Sequence, residues 1–370
     1  MISKLRLLSF RAYEKAELEF DPEFNLIVGP NGIGKTSLLE AIAHLGMGRS
    51  PWSGRSTDVI REGESFALIQ GKGSRRKEDV AVKLKRGGRK EVEVAGKRLG
   101  KLSELLGIFP IVAVGPQEIE LVKGPPSVRR KLMDYALCQM NSEYTSALGR
   151  YKKILSKRNA ALRGVNRGDM AGGHILVEAF DENIANYASC IMDLRANFVK
   201  RLSSLSADIY REITGAEGGE LIIKYKPTIR VENLGPGEIE ESYKKHLRAR
   251  RRRDLELGET GLGPHRDEVL FDKDSAEMDR FGSWGQARAA SIAVILAASE
   301  LLHKDTESDV SLLLDDCFAE LDPENTSRFI DMVTRFGQVF LASPRDVDYP
   351  EGKNCATFGF EDIGRIKREN

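Results

Sequence analysis

Apolar positions in the first third of the chain fall in short runs bounded by turns: KLRLLSF, AELEF, NLIVG, FALIQG, VAVKLK, KEVEVAG and FPIVAV. Runs of this length, some at hairpin spacing, predict a mostly β region up to about residue 123. From Pro125 to about Gly215 the pattern turns helical. Phe180, Ile184, Tyr187, Ile191, Leu194, Phe198, Leu202, Leu205, Ile209 and Ile213 recur with a mean step of about 3.6 residues, the signature of one helix face. The polar, glycine-containing stretch GVNRGDMAGG at 164–173 divides this region into two long helical segments. Packed antiparallel, they predict an arm roughly 50 Å long at about 1.5 Å per residue. A strand in ELIIKYKPTIRVE and an arginine-rich helix follow. Beyond GLGPHRD the texture returns to mixed strand and helix.

Composition adds bounds to this picture. A chain of 370 residues with 41% hydrophobic and 31% charged residues has room for two or three domains with a sizeable core. It contains no run of about 18 apolar residues, and MISKLRLLSF lacks the apolar core and cleavage site of a signal peptide. The expected location is the cytoplasm. Cys138, Cys190, Cys317 and Cys355 are far apart with no C-x-x-C pair, which argues against a disulfide frame and against a zinc site. A net charge of +1 makes no global case for nucleic acid, so any such case rests on local clusters.

The chemistry starts at GPNGIGKTS, 29–37. Gly29, Gly34, Lys35 and Thr36 fit the G-x-x-x-x-G-K-[ST] pattern, in which backbone N–H groups surround phosphates, the lysine reaches β/γ oxygens and the hydroxyl holds Mg²⁺. The apolar strand FNLIVG before it and the helical SLLEAIAHLGMG after it place the glycines at a helix N-terminus, where anions bind. Far downstream, VSLLLDDCFAELD is an apolar strand ending in two carboxylates. Asp315 is assigned to Mg²⁺ and Asp316 to the attacking water as general base; alone, the pair also reads as an acidic turn. Between the cradle and this strand, FGSWGQARAASIAVILAASELL opens a helix at Ser283, Gly285 and Gln286. Serine is a favoured N-cap and glycine leaves the N–H groups accessible, so this is a second anion-binding helix start, or simply a capped helix.

The early P-loop, the late S-x-G-Q helix start, the aspartate pair and the following AELD resemble the ATP-binding-cassette ATPases. More narrowly they resemble the SMC-like repair and chromosome ATPases, whose cassette halves flank an inserted helical arm. SFRAYEKAELEF, GRS, PQEIELVKGPPSVRRKLMD at 116–134, GPHRD, SWGQ and LLLDDCFAELD extend the likeness to the RecF family over nearly the whole chain, and 116–134 is the most specific of these stretches. The resemblance implies an α/β ABC-type ATPase head, a mixed sheet bearing the P-loop, with an inserted α-helical arm: head from 1–123 and 262–370, arm from 124–261. It implies nucleotide contacts from Arg11, Pro30, Asn31, Gly32, Gly34, Lys35, Thr36 and Ser37, and from Ser283, Gly285 and Gln286 across a homodimer. Thr36, Asp315 and Gln117 would hold Mg²⁺, with Lys35, Asp316 and Gln117 in catalysis. It further implies an ATP-dependent, DNA-stimulated clamp of recombinational repair and the SOS response to DNA damage. ATP would drive dimerisation on duplex DNA and slow hydrolysis would release it, supporting RecA loading at single-strand gaps with RecR and RecO.

Two departures bear on this. Gln117 stands where these proteins commonly carry an acidic residue, and LASPRD at 341–346 lacks the switch histidine of cassette transporters, which weakens the reading as a transporter subunit. A non-hydrolysing structural clamp or a small-molecule kinase would also use such a cradle, though a kinase would leave the S-x-G-Q helix without a role. For DNA, KKHLRARRRRDLELG offers Arg248, Arg250, Arg251, Arg252 and Arg253, and KGSRRKEDVAVKLKRGGRK offers Arg75 and Arg76 on a hairpin. Each cluster is a phosphate-binding patch or a solvated face.

Overall fold

The computed structural model describes residues 1–52, 57–73, 79–115, 118–168, 173–215, 218–232, 235–316, 329–346 and 354–369. By packing, the chain forms two compact units, Met1–Glu118 with Ile295–Asn370, and Ile119–Val294. In chain order the elements are β1 (Ile2–Phe10), β2 (Tyr13–Glu19), β3 (Phe24–Val28), α1 (Lys35–Met47), β4 (Phe66–Gly73), β5 (Asp79–Lys85), β6 (Glu91–Val94), β7 (Lys97–Arg98) and β8 (Ile111–Val114). Then follow α2 (Glu120–Lys123), α3 (Pro126–Met140), α4 (Ser142–Asn166), α5 (Gly173–Thr214), β9 (Leu221–Lys226), α6 (Pro236–Leu257), β10 (Glu268–Lys273), β11 (Ala276–Glu277) and α7 (Met278–Phe281). The chain ends with α8 (Trp284–Thr306), β12 (Ser311–Asp315), β13 (Gln338–Ser343), β14 (Cys355–Asp362) and β15 (Arg365–Arg368).

The first unit holds two sheets. One is antiparallel, in the order β2-β1-β4-β5-β6-β7; β5 buries every second residue, as a sheet with one covered face requires. The other runs β15-β14-β3-β13-β12-β8, parallel except at its β15 edge. Apart from the half-buried Val28 that ends β3, its central strands are buried throughout, which is why NLIV, SLLLD and QVFLAS read as largely apolar runs rather than alternations. Helix α1 touches strands of both sheets, so it is buried nearly all round rather than along one stripe.

The second unit is built on α5. None of the ten positions that mark its helical period is exposed, and Ile184, Ile191, Phe198, Leu202 and Ile209 are buried. With 42 residues it is longer than the expected arm, about 63 Å at about 1.5 Å per residue. The helical stretch from Pro125 breaks once more than the pattern suggests: Asn141 caps α4, its side chain accepting from Tyr144 N. The boundary at 261/262 expected from sequence differs from the packing. β10 pairs antiparallel with β9 along its whole length, so the chain from GPHRD through Val294 belongs with the helical unit and not with the P-loop unit.

GPHRD sits in a buried polar knot of that unit. Arg195 donates to Tyr144 Oη (3.0 Å), the Pro264 carbonyl (2.6 Å) and Asp134 (2.8 Å). Asp267 accepts from Tyr225, from Thr228 N (2.8 Å) and from Thr228 Oγ1 (3.1 Å), while His265 bridges Tyr151 Oη (2.6 Å) and the Thr260 carbonyl (3.0 Å). At Gly263 φ is +123° and any Cβ would collide with the hydroxyls of Tyr243 and Tyr151, so only glycine fits.

Candidate nucleotide site

In the P-loop unit, β3 delivers the chain to the carboxyl edge of the parallel sheet, and the loop 29–34 reverses it into α1. Gly34 makes the turn at φ +125°; there a Cβ would come within 3.3 Å of Tyr13 Oη, which donates to the Gly34 carbonyl at 3.0 Å. Phe360 of β14 packs beneath Gly29, and Gly29 N donates to the Ser343 carbonyl at 3.2 Å. The loop is therefore held by β1–β2, β13 and β14 together. Lys35 Nζ donates to the carbonyls of Gly29 (2.6 Å) and Pro30 (3.0 Å), so its ammonium lies across the mouth of the loop. Burial lowers its pKa, and the nearby Asp316 and Asp315 oppose that shift.

β13 separates β3 from β12, so Asp315 ends a strand two places from the P-loop strand, roughly 10 Å away at about 4.8 Å per strand. Helix α1 spans that gap: Thr36 Oγ1 donates to Asp315 Oδ2 at 2.8 Å. Asp315 is only 3% exposed, and burial raises its carboxyl above the ordinary range against the Thr36 hydrogen bond. Asp316, one residue on, stands at φ +51° with Oδ1 buried and without a hydrogen-bond partner among the described residues. A hydroxyl and a carboxylate in contact, with a second carboxylate adjacent, are the hard oxygen donors that suit Mg²⁺. Among the described residues no group of three acidic, histidine or cysteine side chains is placed to hold a metal ion, so a cation here would take its remaining ligands from phosphates and water.

In the other unit, Ser283 caps α8 reciprocally: Gln286 N donates to Ser283 Oγ (3.2 Å) and Ser283 N to Gln286 Oε1 (3.0 Å). Gly285 has open space where a Cβ would stand, and Trp284 and Phe281 beside it are 72% and 73% exposed. The capped helix start is thus at the surface with its glycine clear.

The remaining expected residues divide. Arg11 is engaged within its own unit, its guanidinium forked on Glu40 (2.9 and 3.2 Å) and bonded to the Asp58 carbonyl (3.0 Å), with Ser50 on the same carboxylate (2.6 Å). Gln117, Arg75, Arg76 and the AELD stretch lie outside the described residues. The five arginines of α6 are not equivalent. Arg251 bonds Glu178 and Asp181 of α5, and Arg250 bonds the fully buried Asp254, so both are tied into the helical layer. Arg248 pairs with Glu182 while remaining 64% exposed, Arg252 pairs with Glu256 at 93% exposure, and Arg253 is exposed. Of the five arginines expected to meet DNA, Arg250 is thus engaged by Asp254 of its own helix and Arg251 by acids of α5, which leaves Arg248, Arg252 and Arg253 as the exposed candidates. Tyr13 and Phe360 shape the loop without belonging to the P-loop pattern; Tyr13 stands within the SFRAYEKAELEF stretch, whereas Phe360 carries no motif.

A family profile described as RecF/RecN/SMC N terminal domain matches residues 1–359. The DNA replication and repair proteins RecF of Bacillus cereus and Bacillus thuringiensis are each 33% identical over 347 residues, 92% of this chain and 91% of theirs. The chain belongs to the RecF family. A solved RecF–ATPrS structure described as a recombination mediator of the RecFOR pathway superposes with a TM-score of 0.91 at 28% identity, covering 100% of this chain and 98% of that one; the RecF–ATP structure gives 0.90. An Smc head bound to the C-winged helix domain of ScpA, at TM-score 0.56 and 18% identity, shares the fold. The cassette-type head with an inserted helical region is thus the RecF and SMC fold.

Proposed function

We propose that this RecF-family ATPase is an ATP-gated DNA clamp of recombinational repair. The observation that carries the reading is the 2.8 Å bridge from Thr36 to Asp315, which brings the P-loop hydroxyl and the strand-end carboxylate to one point over the sheet edge. Thr36 and Asp315 would hold Mg²⁺ there, with Gln117 as a further candidate. Bound Mg²⁺ would neutralise charge on the β- and γ-phosphates. Lys35 would exchange its two carbonyl partners for β/γ oxygens, and the loop N–H groups would surround the phosphates. Asp316, whose Oδ1 is unpartnered among the described residues, would orient the attacking water and take its proton.

Ser283 and Gly285 of a second copy would close over the γ-phosphate, since an exposed helix start attracts negative charge. A twofold dimer of this kind is isologous and buries two equivalent nucleotides. Hydrolysis removes the group that joins the copies, so ATP binding loads the clamp and hydrolysis opens it. Duplex and gapped DNA would be gripped through phosphates, by Arg248, Arg252 and Arg253 in the first place, and DNA would stimulate turnover. RecR is the proposed direct partner, with RecO and RecA at the same gaps in the cytoplasm.

The test is Asp316→Asn. Sedimentation with ATP should show a dimer at least as stable as the wild type's, while single-turnover phosphate release falls by about 10² or more, the range for losing a general base. A variant that stays monomeric with ATP bound, or that turns over normally, refutes these roles.

A further inference from the structure

The stretch 116–134 was singled out from the sequence, yet none of the steps above uses its described part. Its geometry gives it a task. Helix α2 is a single turn of four residues, too short to hold itself. Arg129 of α3, 7% exposed, ties it down by donating Nη1 to the carbonyls of Leu121 (3.3 Å), Val122 (3.2 Å) and Gly124 (3.0 Å), which have no partner within so short a helix. Lys123, on the turn thus fixed, donates Nζ to the carbonyls of Asp279 (3.1 Å) and Gly282 (2.6 Å).

Gly282 is the residue before Ser283. Its carbonyl and the Ser283 N–H belong to one peptide unit, which is planar and rotates as a body. Lys123 grips one end of that plane, and the Gln286 side chain accepts from the other at 3.0 Å. A rotation of the plane that broke the lysine contact would also misalign the Ser283–Gln286 box.

We infer that Lys123 is a positioning residue for the Ser283 helix start: its ammonium fixes the Gly282–Ser283 peptide plane and so the capping geometry on which an incoming γ-phosphate depends. What that helix start binds rests on the function proposed above; the grip on the peptide plane does not. Lys123 acts through Ser283 and touches no nucleotide in this scheme.

The experiment uses the full chain carrying Lys123→Met, Lys123→Gln or Lys123→Arg. Amide hydrogen exchange at Ser283, Gln286 and Ala287, read without nucleotide, should speed up about tenfold in Lys123→Met, the worth of one charge-assisted hydrogen bond. It should stay within about threefold of the wild type in Lys123→Arg, with Lys123→Gln between. ATP binding to the monomer should be unchanged, because the P-loop belongs to the other unit. Dimerisation with a non-hydrolysable ATP analogue should weaken about tenfold in Lys123→Met and recover in Lys123→Arg. Unchanged exchange in Lys123→Met and Lys123→Gln overturns the inference. So does faster exchange with wild-type dimerisation in a background where Ser283→Ala abolishes the dimer. A wild-type chain that does not dimerise with ATP overturns the proposed function instead, and the exchange measurement then decides the role of Lys123 by itself.

Discussion

Changing Arg248, Arg252 and Arg253 together to serine tests the proposal that this chain grips DNA through its phosphates. Each cation that neutralises a phosphate releases about 0.9 counterion, so three of them account for roughly 2.7 in the slope of log affinity against log salt, or about 5.4 in a twofold dimer. The structure supplies the count: these three point to solvent or carry only exposed ion pairs, and such pairs with Glu182 and Glu256 are worth about 0.2–1 kcal/mol, little enough for phosphates to displace. Arg251→Ser is the comparison. Its partner Asp181 is 3% exposed, so its loss should lower the stability of the helical unit by about 1–3 kcal/mol and leave the salt slope nearly intact. The assay is fluorescence anisotropy with two unrelated duplexes between about 50 and 200 mM salt in the presence of ATP. Both duplexes should weaken alike, since no base edge is read. An unchanged slope in the triple variant, with folding and ATP-driven dimerisation intact, refutes the assignment and moves the search to the hairpin that carries Arg75 and Arg76.

Lys35→Met should abolish ATP binding while leaving the fold intact, because the two carbonyls that Lys35 bonds lie at the loop mouth and remain free to meet solvent; nucleotide titration by calorimetry checks this, and wild-type affinity would exclude the loop as the site. Trp284 is 72% exposed, so in a Trp52→Phe background its emission should shift to the blue on adding ATP, with a midpoint that moves with protein concentration; a concentration-independent response speaks against burial between two copies. Arg158→Met removes a side chain with no exposed surface that joins Asp181 (2.7 Å), Asp254 (3.0 Å) and Thr260 (2.7 Å). Both carboxylates keep a second arginine, so the cost should sit near the lower end of the ~3–5 kcal/mol for breaking a buried pair, read by urea unfolding; a loss below about 1 kcal/mol would contradict the geometry.

The strand, glycine turn and helix start of the P-loop were legible in the sequence because they are local and follow one another within about a dozen residues, and Asp315 is the polar end of an apolar run. The ten-position stripe of α5 was legible for a similar reason, since a long helix states its period many times. What the sequence hid was pairing between distant segments. Nothing near Glu268 announces that β10 will zip onto β9, so GPHRD reads as the start of a new block when it closes the old one. Likewise the acids that occupy Arg251 stand on α5, some 70 residues earlier, and charge density along α6 alone overstates what is free for DNA.

The same distribution of contacts shows what buried charge adds to the apolar packing of the helical unit. In the P-loop unit, α1 lies between two sheets and its position is set by close-packed Leu, Ile and Ala side chains. The helical unit adds to its buried apolar stripe a few directional points that tie α3, α4, α5 and α6 together. Arg158 and Arg195 supply them, since a guanidinium offers five donors in a rigid fork. Arg195 reaches Asp134 of α3 and the Pro264 carbonyl, and the next step along the chain from α3 is Arg129, whose bonds to α2 end at Lys123 and the Gly282 carbonyl. Directional bonds joined through the body of α3 therefore connect the middle of the long helix to the peptide plane that opens α8. If hydrolysis is to be felt in the helical unit, this is the route with discrete geometry along it, and Arg195→Met should speed amide exchange at Ser283 even though Arg195 is joined to that residue only through α3 and α2.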